Sequence, residues 1–243
     1  MRRDLAPRGR RLITLIRNSE RYHFESDWLS THWHFSFDHY YDPANVNFGA
    51  LRVFNDDVIQ PASGFPMHGH REMEIITYVL EGELEHKDSA GGFGRIRAGE
   101  VQRMSAGTGI RHSEYNPSPT DPVHLMQMWI TPAVSGLKPS YEQASFTESQ
   151  RTGRLLAVAS GTSTPGALKI HQDATLYVSR LLPGSEIAFA PGDARRVYLF
   201  VIDGELAVND EAIATGDQAR IESESELRLA ARLPSEIVVI DLA

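Results

Sequence analysis

Two short stretches of the sequence carry side chains that could hold a metal ion. The first reads GFPMHGHREME and contains His68 and His70; the second reads GIRHSEYN and contains His112 and Glu114. Within each pair the residues are two apart, so on a β-strand both side chains point to the same face. If the two strands are neighbours inside a barrel, three imidazoles and one carboxylate converge. Such a ligand set suits divalent iron, manganese, nickel, copper or zinc.

A His-X-His pair alone is weak evidence, because the chain contains a second one, His32 and His34, in the aromatic run THWHFSFDHYY. We expect those two histidines to pack or to form hydrogen bonds. Several features accompany the first pair: Glu74, a glycine turn at Gly82, and a distant His-X-Glu preceded by Gly99, Gly107 and Gly109. Their agreement favours a metal site. Gly69, between His68 and His70, is expected to let neighbouring backbone pack closely.

Composition excludes several other kinds of site. The 243 residues include no cysteine, which rules out disulfides, thiolate zinc sites, iron–sulfur clusters and cysteine nucleophiles. The net charge of −8 argues against direct nucleic-acid binding. No run approaches the roughly 20 apolar residues of a membrane span. We expect a cytoplasmic protein, with residues 1–11, rich in arginine, as a flexible extension.

The elements that must position the site read as strands. Short runs rich in β-branched and aromatic residues recur, separated by glycine-bearing turns: EIITYVL, VHLMQMWI, VYLFVI and EIVVIDL. Strands that recur about every ten residues are typical of sandwiches and barrels. A short helix is expected only within Pro139–Ser149, at the junction of two lobes.

An internal repeat divides the chain. YVLEGEL, with Gly82, recurs as FVIDGEL, with Gly204, and AGEVQR, with Gly99, recurs as TGDQAR, with Gly216. The spacings of 122 and 117 residues indicate a duplicated domain. The second copy places four residues at the positions that correspond to the candidate ligands: Ala190, Gly192, Leu229 and Ala231. None of them can bind a metal, so the second barrel is expected to be degenerate. His171 is expected to be a surface residue.

The runs GFPMHGHREMEIITYVLEGELEH and GEVQRMSAGTGIRHSEYNPSP resemble the two cupin motifs as they appear in pirins, and FSFDHYYDP, FGALRVFNDD and GLKPSYEQ extend the likeness over residues 13–146. The sequence departs from the usual cupin motifs in four places. Three residues instead of five separate Gly64 from His68, seven instead of six separate Glu74 from Gly82, four instead of two separate Gly107 from His112, and Ser105 replaces a proline.

The resemblance implies an all-β fold of two tandem cupin barrels (double-stranded β-helix, or jelly-roll) facing each other. We expect a metal-binding pirin barrel over 12–138 and a degenerate cupin barrel over 139–243. It also implies iron, as Fe(II), at the ligands His68, His70, His112 and Glu114. Glu74 matches a pirin position that is not a ligand; strand parity places it inward, beside the ligands.

Pirins of the bacterial branch resemble quercetin 2,3-dioxygenases, so the leading hypothesis is cleavage of a flavonol by dioxygen. In that chemistry Glu114 would act as general base. Aromatic segments near Trp33, Phe35, Tyr40, Tyr41 and Trp129 could wall a pocket for a flat ligand, although most of these rings could equally be ordinary core.

Two alternatives stay open. A non-catalytic metal-binding co-regulator or redox sensor would act through a protein partner and would need an exposed basic patch near the site. Five arginines are candidates for it: Arg71, Arg95, Arg97, Arg103 and Arg111. An isomerase acting on a phosphosugar would instead need cationic groups inside the barrel.

Overall fold

The computed structural model describes residues 12–192 and 194–243, so the predicted extension over 1–11 lies outside the described residues. The strands in the first part of the chain are β1 (Leu12–Ile16), β2 (Tyr22–Glu25), β3 (Leu29–Trp33), β4 (Leu51–Ile59), β5 (Gly64–His70), β6 (Glu74–Glu81), β7 (Glu83–Asp88), β8 (Phe93–Arg97), β9 (Glu100–Ser105), β10 (Ile110–Tyr115), β11 (Val123–Ile130) and β12 (Ser140–Ser145). Those in the second part are β13 (Leu156–Ser160), β14 (Leu168–Lys169), β15 (Ala174–Leu181), β16 (Glu186–Phe189), β17 (Arg196–Asp203), β18 (Glu205–Val208), β19 (Glu211–Ala214), β20 (Gln218–Glu222), β21 (Leu227–Ala231) and β22 (Ser235–Leu242). A 3-10 turn, Asn18–Glu20, and a short helix α1, Glu148–Arg151, are the helical elements among these residues.

The strands form two lobes, each made of a large and a small sheet. In the first lobe the large sheet has the order β12-β9-β6-β11-β4-β3-β2 and the small sheet the order β5-β10-β7-β8. In the second lobe the orders are β1-β20-β17-β22-β15-β13-β14 and β16-β21-β18-β19. This architecture confirms the all-β fold of two cupin barrels.

The two large sheets pack against each other. One buried cluster joins Phe54 and Tyr78 of the first lobe to Tyr198 and Val238 of the second. Strands such as β11 are therefore apolar on both faces: Leu125 fills its own barrel, whereas Met126 and Met128 face the other lobe. This double burial explains why the runs seen in the sequence are continuous rather than alternating.

Two strands tie the lobes together by exchange. β1 pairs with β20 of the second lobe, with Leu12 opposite Glu222, and β12 pairs with β9 of the first lobe, with Ser140 opposite Ser105. The predicted boundary between residues 138 and 139 stays a prediction. Through these pairings, each half of the chain adds a strand to a sheet formed mainly by the other half. The helix expected within 139–149 is wrong for most of that stretch, because Ser140–Ser145 is held by β9 and the helix begins only at Glu148.

The second barrel is filled by apolar side chains. Val197, Leu199 and Leu229 belong to a cluster that is fully buried there, and Ala231 lies against it. Among the described residues, the groups of side chains that could hold a metal all lie in the first lobe. Within the same residues, no helix is long and apolar enough to cross a membrane.

Candidate metal centre

The three predicted histidines meet where β5 pairs with β10. His68 stands directly opposite His112, and His70 stands opposite Ile110. The ring centroids lie 4.5 Å apart for His68 and His112, 4.7 Å for His68 and His70, and 4.8 Å for His70 and His112. One nitrogen of each ring lies within 4.8 Å of the others. The small sheet therefore brings the three imidazoles together, as the spacing of two residues predicted.

A β-bulge helps to orient His68. Between the pairs Phe65–Glu114 and His68–His112, β5 has one residue more than β10. Nδ1 of His68 lies 2.8 Å from the carbonyl oxygen of Pro66, within the bulge, and donates its hydrogen there. The lone pair of His68 is consequently on Nε2, the nitrogen that remains available to a ligand.

The donor atoms fit a divalent cation. Nε2 of His70 and Nε2 of His112 are buried and have no hydrogen-bond partner within residues 12–192 and 194–243, a rare condition for a polar atom that a bound ion would relieve. Burial, together with the positive charges of His112 and His68, lowers the pKa of His70 to about 4. Burial also lowers the pKa of His112 to about 4, although Glu114 acts in the opposite direction. Both imidazoles are thus neutral near pH 7, as metal ligands must be.

Glu114 lies beside His112 but is held from the other side. Its Oε1 accepts a hydrogen bond from Gln102 at 2.6 Å, and its Oε2 accepts one from Gln127 at 2.7 Å. One carboxylate oxygen of Glu114 and one ring nitrogen each of His112 and His86 lie within 4.8 Å of one another. One ring nitrogen each of His68, His70 and His112 forms a separate group of the same size. The four predicted ligands therefore form two groups that share His112. Each carboxylate oxygen keeps a further lone pair, so the hydrogen bonds from the two amides leave Glu114 able to bind an ion.

These contacts keep Glu114 ionised. Burial alone would raise its pKa, but the neighbouring His112 and His86 and the hydrogen bond from Gln127 outweigh burial, and the pKa is lowered. Thr77 supports the arrangement, because its hydroxyl accepts a hydrogen bond from Gln102 at 3.1 Å. The carboxylate is thus a fixed negative charge next to the imidazoles.

Behind His112 lies a second buried histidine. Nε2 of His86 lies 3.1 Å from Oδ2 of Asp88 and donates to it, while its Nδ1 lies 3.4 Å from Nδ1 of His112. Asp88 is itself fixed by the backbone N–H groups of Ala90 and Gly92. Because Nε2 of His86 carries the hydrogen, Nδ1 of His86 accepts a hydrogen bond from Nδ1 of His112. The free lone pair of His112 is therefore on Nε2.

A pocket of about 610 Å³ opens onto these residues. His68, His70 and Glu114 line it together with six aromatic side chains: Phe24, Trp28, Trp33, Phe37, Phe65 and Trp129. Trp33 and Trp129 were expected at such a pocket, whereas Phe35 is instead packed between the lobes and Tyr41 is exposed. The volume is in the usual range for small-molecule sites.

The base of the pocket is polar. Asn55 and Asp57 line it, and Oδ1 of each is buried without a hydrogen-bond partner in the part of the chain that the structure describes. Burial, reinforced by the charges of Asp56 and Glu114, raises the pKa of Asp57 to about 7. A carboxyl group of that kind next to a candidate metal centre is a feature of functional sites.

The placement predicted for Glu74 is wrong. Glu74 is buried, but it faces the second lobe: its carboxylate accepts a hydrogen bond from Ser105 at 2.8 Å and lies 3.3 Å from Nδ1 of His171. Alternation along β5 does not continue into β6, because the chain turns between them, with Glu72 at a φ of 49°. His171, expected to be an isolated surface residue, is in fact part of this contact between the lobes.

The second His-X-His pair does not join the metal centre, as expected. His34 is buried and stacks on Phe54 at 4.6 Å, and His32 stacks on His23 at the same distance. Nδ1 of His34 donates to the hydroxyl of Tyr198, in the other lobe. These histidines pack and hydrogen-bond.

The arginines do not form a broad basic patch. Three of the five candidates are paired with acidic side chains: Arg95 with Glu83 and Glu85, Arg97 with Glu83, and the buried Arg103 with Glu142. The other two, Arg71 and Arg111, are exposed near the histidines and donate to the backbone carbonyls of Thr108 and Met67. The surface beside the site therefore offers two cations from this set.

Five residues of the centre were missed in the sequence: Thr77, Gln102, Gln127, His86 and Asp88. Register explains three of them, because Gln102, Thr77 and Gln127 lie side by side on β9, β6 and β11. The available signal was a polar residue in each of three buried apolar strands. His86 and Asp88 repeat the spacing of two residues and could have been found by it.

Comparison with known proteins agrees with this architecture. Residues 16–130 match the family model described as Pirin, and residues 157–242 match that of the quercetinase C-terminal cupin domain. The chain is 46% identical to a quercetin 2,3-dioxygenase of Escherichia coli, over 95% of this chain and 99% of that protein. The crystal structure of YhhW from Escherichia coli superposes with a TM-score of 0.92 at 44% identity, covering 96% of this chain and 98% of the other. The bacterial pirin YhhW in complex with nickel(II) gives 0.90 at 43% identity, covering 95% and 99%.

Proposed function

Since the chain belongs to the pirin family, we propose that it is a metal-dependent quercetin 2,3-dioxygenase, which cleaves a flavonol with dioxygen and releases carbon monoxide. The observation that carries this proposal is a cluster of three imidazoles, those of His70 and His112 neutral, beside an aromatic pocket that His68, His70 and Glu114 line. The similarity to a quercetin 2,3-dioxygenase over nearly the whole of both chains supports it.

We assign His68, His70, His112 and Glu114 as the ligands of one divalent ion, and ferrous iron as that ion. Imidazole and carboxylate ligands also accept manganese, nickel, copper or zinc, and a related bacterial pirin binds nickel(II). When bound, the ion would supply Lewis acidity that makes the flavonol 3-hydroxyl more acidic.

The side chains of the pocket would carry out the remaining work. The aromatic walls would hold a flat ligand and exclude water, with Trp129 standing edge-on to His70 at 4.7 Å. A carboxylate oxygen of Glu114 would accept the proton of the hydroxyl. Gln102 and Gln127 keep this carboxylate ionised, which a proton acceptor requires, and they also make it a weak base. Proton transfer to Glu114 therefore depends on a hydroxyl that has already become acidic.

The test is flavonol-dependent oxygen consumption with detection of carbon monoxide, on protein reconstituted anaerobically with ferrous iron. We expect turnover in the wild type and in His32→Ala, a histidine outside the centre, and none in His112→Ala. Parallel reconstitution with nickel, manganese, copper and zinc identifies the metal, and higher turnover with one of these would replace iron.

Absence of turnover in protein with demonstrated bound metal would overturn the enzyme proposal and favour the metal-binding co-regulator. That alternative needs a protein partner and a cationic surface, for which Arg71 and Arg111 are the exposed candidates without an acidic partner among the described residues. A cytoplasmic location stays a prediction from composition.

A further inference from the structure

We propose that Asn55 and Asp57 accept hydrogen bonds from a ring hydroxyl of the ligand and make the pocket selective for polyhydroxylated aromatic molecules. This inference rests on the proposed function, because it concerns the same pocket and specifies its substrate class. The hydroxyl in question is a second one, distinct from the group that faces the histidines.

The first support is the direction of the two side chains. Along β4, Phe54 and Asp56 face away from the barrel interior: Phe54 packs between the lobes, and Asp56 binds Arg21 and His124. Asn55 and Asp57, on the opposite face, line the pocket with 4% and 2% of their surface exposed. Both are thus inside the cavity that contains the candidate metal ligands.

The second support is that their acceptors are unused. Oδ1 of Asn55 and Oδ1 of Asp57 are buried and have no hydrogen-bond partner among the described residues. A buried acceptor without a partner destabilises a protein, and such atoms are uncommon. Two of them on alternate residues of one strand, facing one cavity, indicate a group that a ligand supplies.

Neighbouring side chains do not supply the missing donor. Gln127 is opposite Asn55 in the sheet, but its amide already donates to Glu114 and accepts from Trp129. Thr31 is opposite Asp57 and lowers its pKa as a hydrogen-bond donor would, but among the described residues neither its hydroxyl nor Oδ1 of Asp57 has a partner with hydrogen-bond geometry. The row of polar groups therefore ends in Asn55 and Asp57, whose side chains line the pocket.

The chemistry of the cavity defines the class of ligand. Its walls are aromatic and suit a flat ring, whereas an acceptor pair at its base requires a donor on that ring. A phenolic hydroxyl meets both conditions. A carboxyl group offers an acceptor oxygen in either protonation state, so the assignment does not depend on the charge of Asp57.

The experiment uses the tryptophans of the protein as the probe. The chain has three, Trp28, Trp33 and Trp129, and all of them line the pocket. Quenching of their fluorescence therefore reports binding at this site, in metal-loaded protein kept without oxygen so that no turnover occurs. The two ligands are quercetin, which carries further ring hydroxyls, and 3-hydroxyflavone, which has only the 3-hydroxyl.

We expect the wild type to bind quercetin about tenfold more tightly than 3-hydroxyflavone. In Asp57→Leu and in Asn55→Leu, which keep the number of side-chain heavy atoms and remove the acceptor, that ratio should fall towards one. Asp57→Asn, which keeps an acceptor, should retain it. Asp210→Asn is the control, because Asp210 lies in the second lobe, outside the pocket, and its side chain is exposed.

Melting temperature and metal content establish that each variant is folded and loaded. An unchanged ratio in both folded leucine variants would overturn the proposal, whether or not the protein turns over flavonol. A ratio that collapses only in these variants would support it even if oxygen consumption is absent. The experiment can therefore disprove the binding role of Asn55 and Asp57 without disproving the dioxygenase function, and the reverse.

Discussion

The indole N–H of Trp129 donates to Oε1 of Gln127 at 3.0 Å, and this bond turns the amide nitrogen of Gln127 towards Glu114. Without it the two ends of the amide could exchange places, and an oxygen would face the carboxylate. One aromatic side chain in the pocket wall thus sets the polarity of the support for the candidate ligand Glu114.

Gln127→Leu tests this support. It removes a hydrogen bond to a buried carboxylate, so we expect the pKa of Glu114 to rise and the affinity for the metal to fall about tenfold to 100-fold. The measurement is a metal titration in competition with a chelator. Gln143→Leu, an exposed glutamine on β12, is the control and should bind metal normally. Equal affinities in the two variants would show that Gln127 does not support the centre.

Asp88→Asn should weaken metal binding through two histidines. Asp88 holds the hydrogen of His86 on Nε2, and an amide nitrogen in its place would favour the other tautomer. His86 would then present N–H to Nδ1 of His112, and the hydrogen of His112 would move to Nε2, the nitrogen assigned to the metal. We expect a loss of about tenfold or more in affinity. Asp88→Asn protein that binds metal as tightly as wild type would rule out this relay.

The network of Asp56 should give a characteristic dependence of stability on pH. Asp56 accepts hydrogen bonds from His124 at 2.7 Å and Arg21 at 2.9 Å. Burial alone would raise the pKa of Asp56, but His124 and Arg21 lower it far below its usual range. Burial alone would lower the pKa of His124, but Asp56 raises it above 6.5.

The direction in which each group changes the unfolding free energy with pH follows from these pKa shifts. The stabilisation from ionised Asp56 is complete above its usual pKa of 3.8 and is lost as the pH falls further. That from protonated His124 is complete below 6.5 and is lost as the pH rises through the raised pKa. The difference in unfolding free energy between wild type and Asp56→Asn should therefore be largest between these values, at about 3 kcal/mol.

Denaturant unfolding of both proteins at about pH 5 and about pH 9 checks this prediction. The charge of Asp56 also raises the pKa of Asp57, so the comparison is repeated in an Asp57→Asn background, which removes that contribution. His124→Gln is the second control: its difference from wild type should nearly vanish at the higher pH. A constant difference between wild type and Asp56→Asn at both pH values would contradict the assignment.

The spacing of residues in the sequence predicted the imidazole cluster well and its surroundings poorly. Side chains two apart on a strand share a face, so His68 could be placed beside His70, and His112 beside Glu114, without the fold. Which strands become neighbours across a barrel depends on register, and the support of Glu114 by Gln102 and Gln127 arises only from it. The alternation of side chains along a strand also does not continue across a turn, which is why the position predicted for Glu74 was wrong.

The role expected for Gly69 is also wrong, and Gly64 takes it. A Cβ on Gly69 would meet no atom closer than 3.8 Å, whereas one on Gly64 would lie 2.2 Å from the carbonyl oxygen of Glu114 and 2.6 Å from Cα of Tyr115. The close approach of β5 and β10 therefore occurs at Gly64, beside the bulge that precedes His68. Spacing alone could not distinguish the two glycines, because a close backbone contact is a property of the paired strands.

Gly64→Ala and Gly69→Ala form a matched pair that tests this difference. In Gly64→Ala the backbone of β10 must move away at Glu114, so we expect a loss of about 3 kcal/mol in unfolding free energy and weaker metal binding. Gly69→Ala should change stability by no more than about 0.5 kcal/mol, because the added methyl group meets only ordinary contacts. Denaturant unfolding and a metal titration measure both effects. If Gly69→Ala proved the more damaging, the strands would approach each other at the histidine pair, and the bulge would lie elsewhere than between His68 and Glu114.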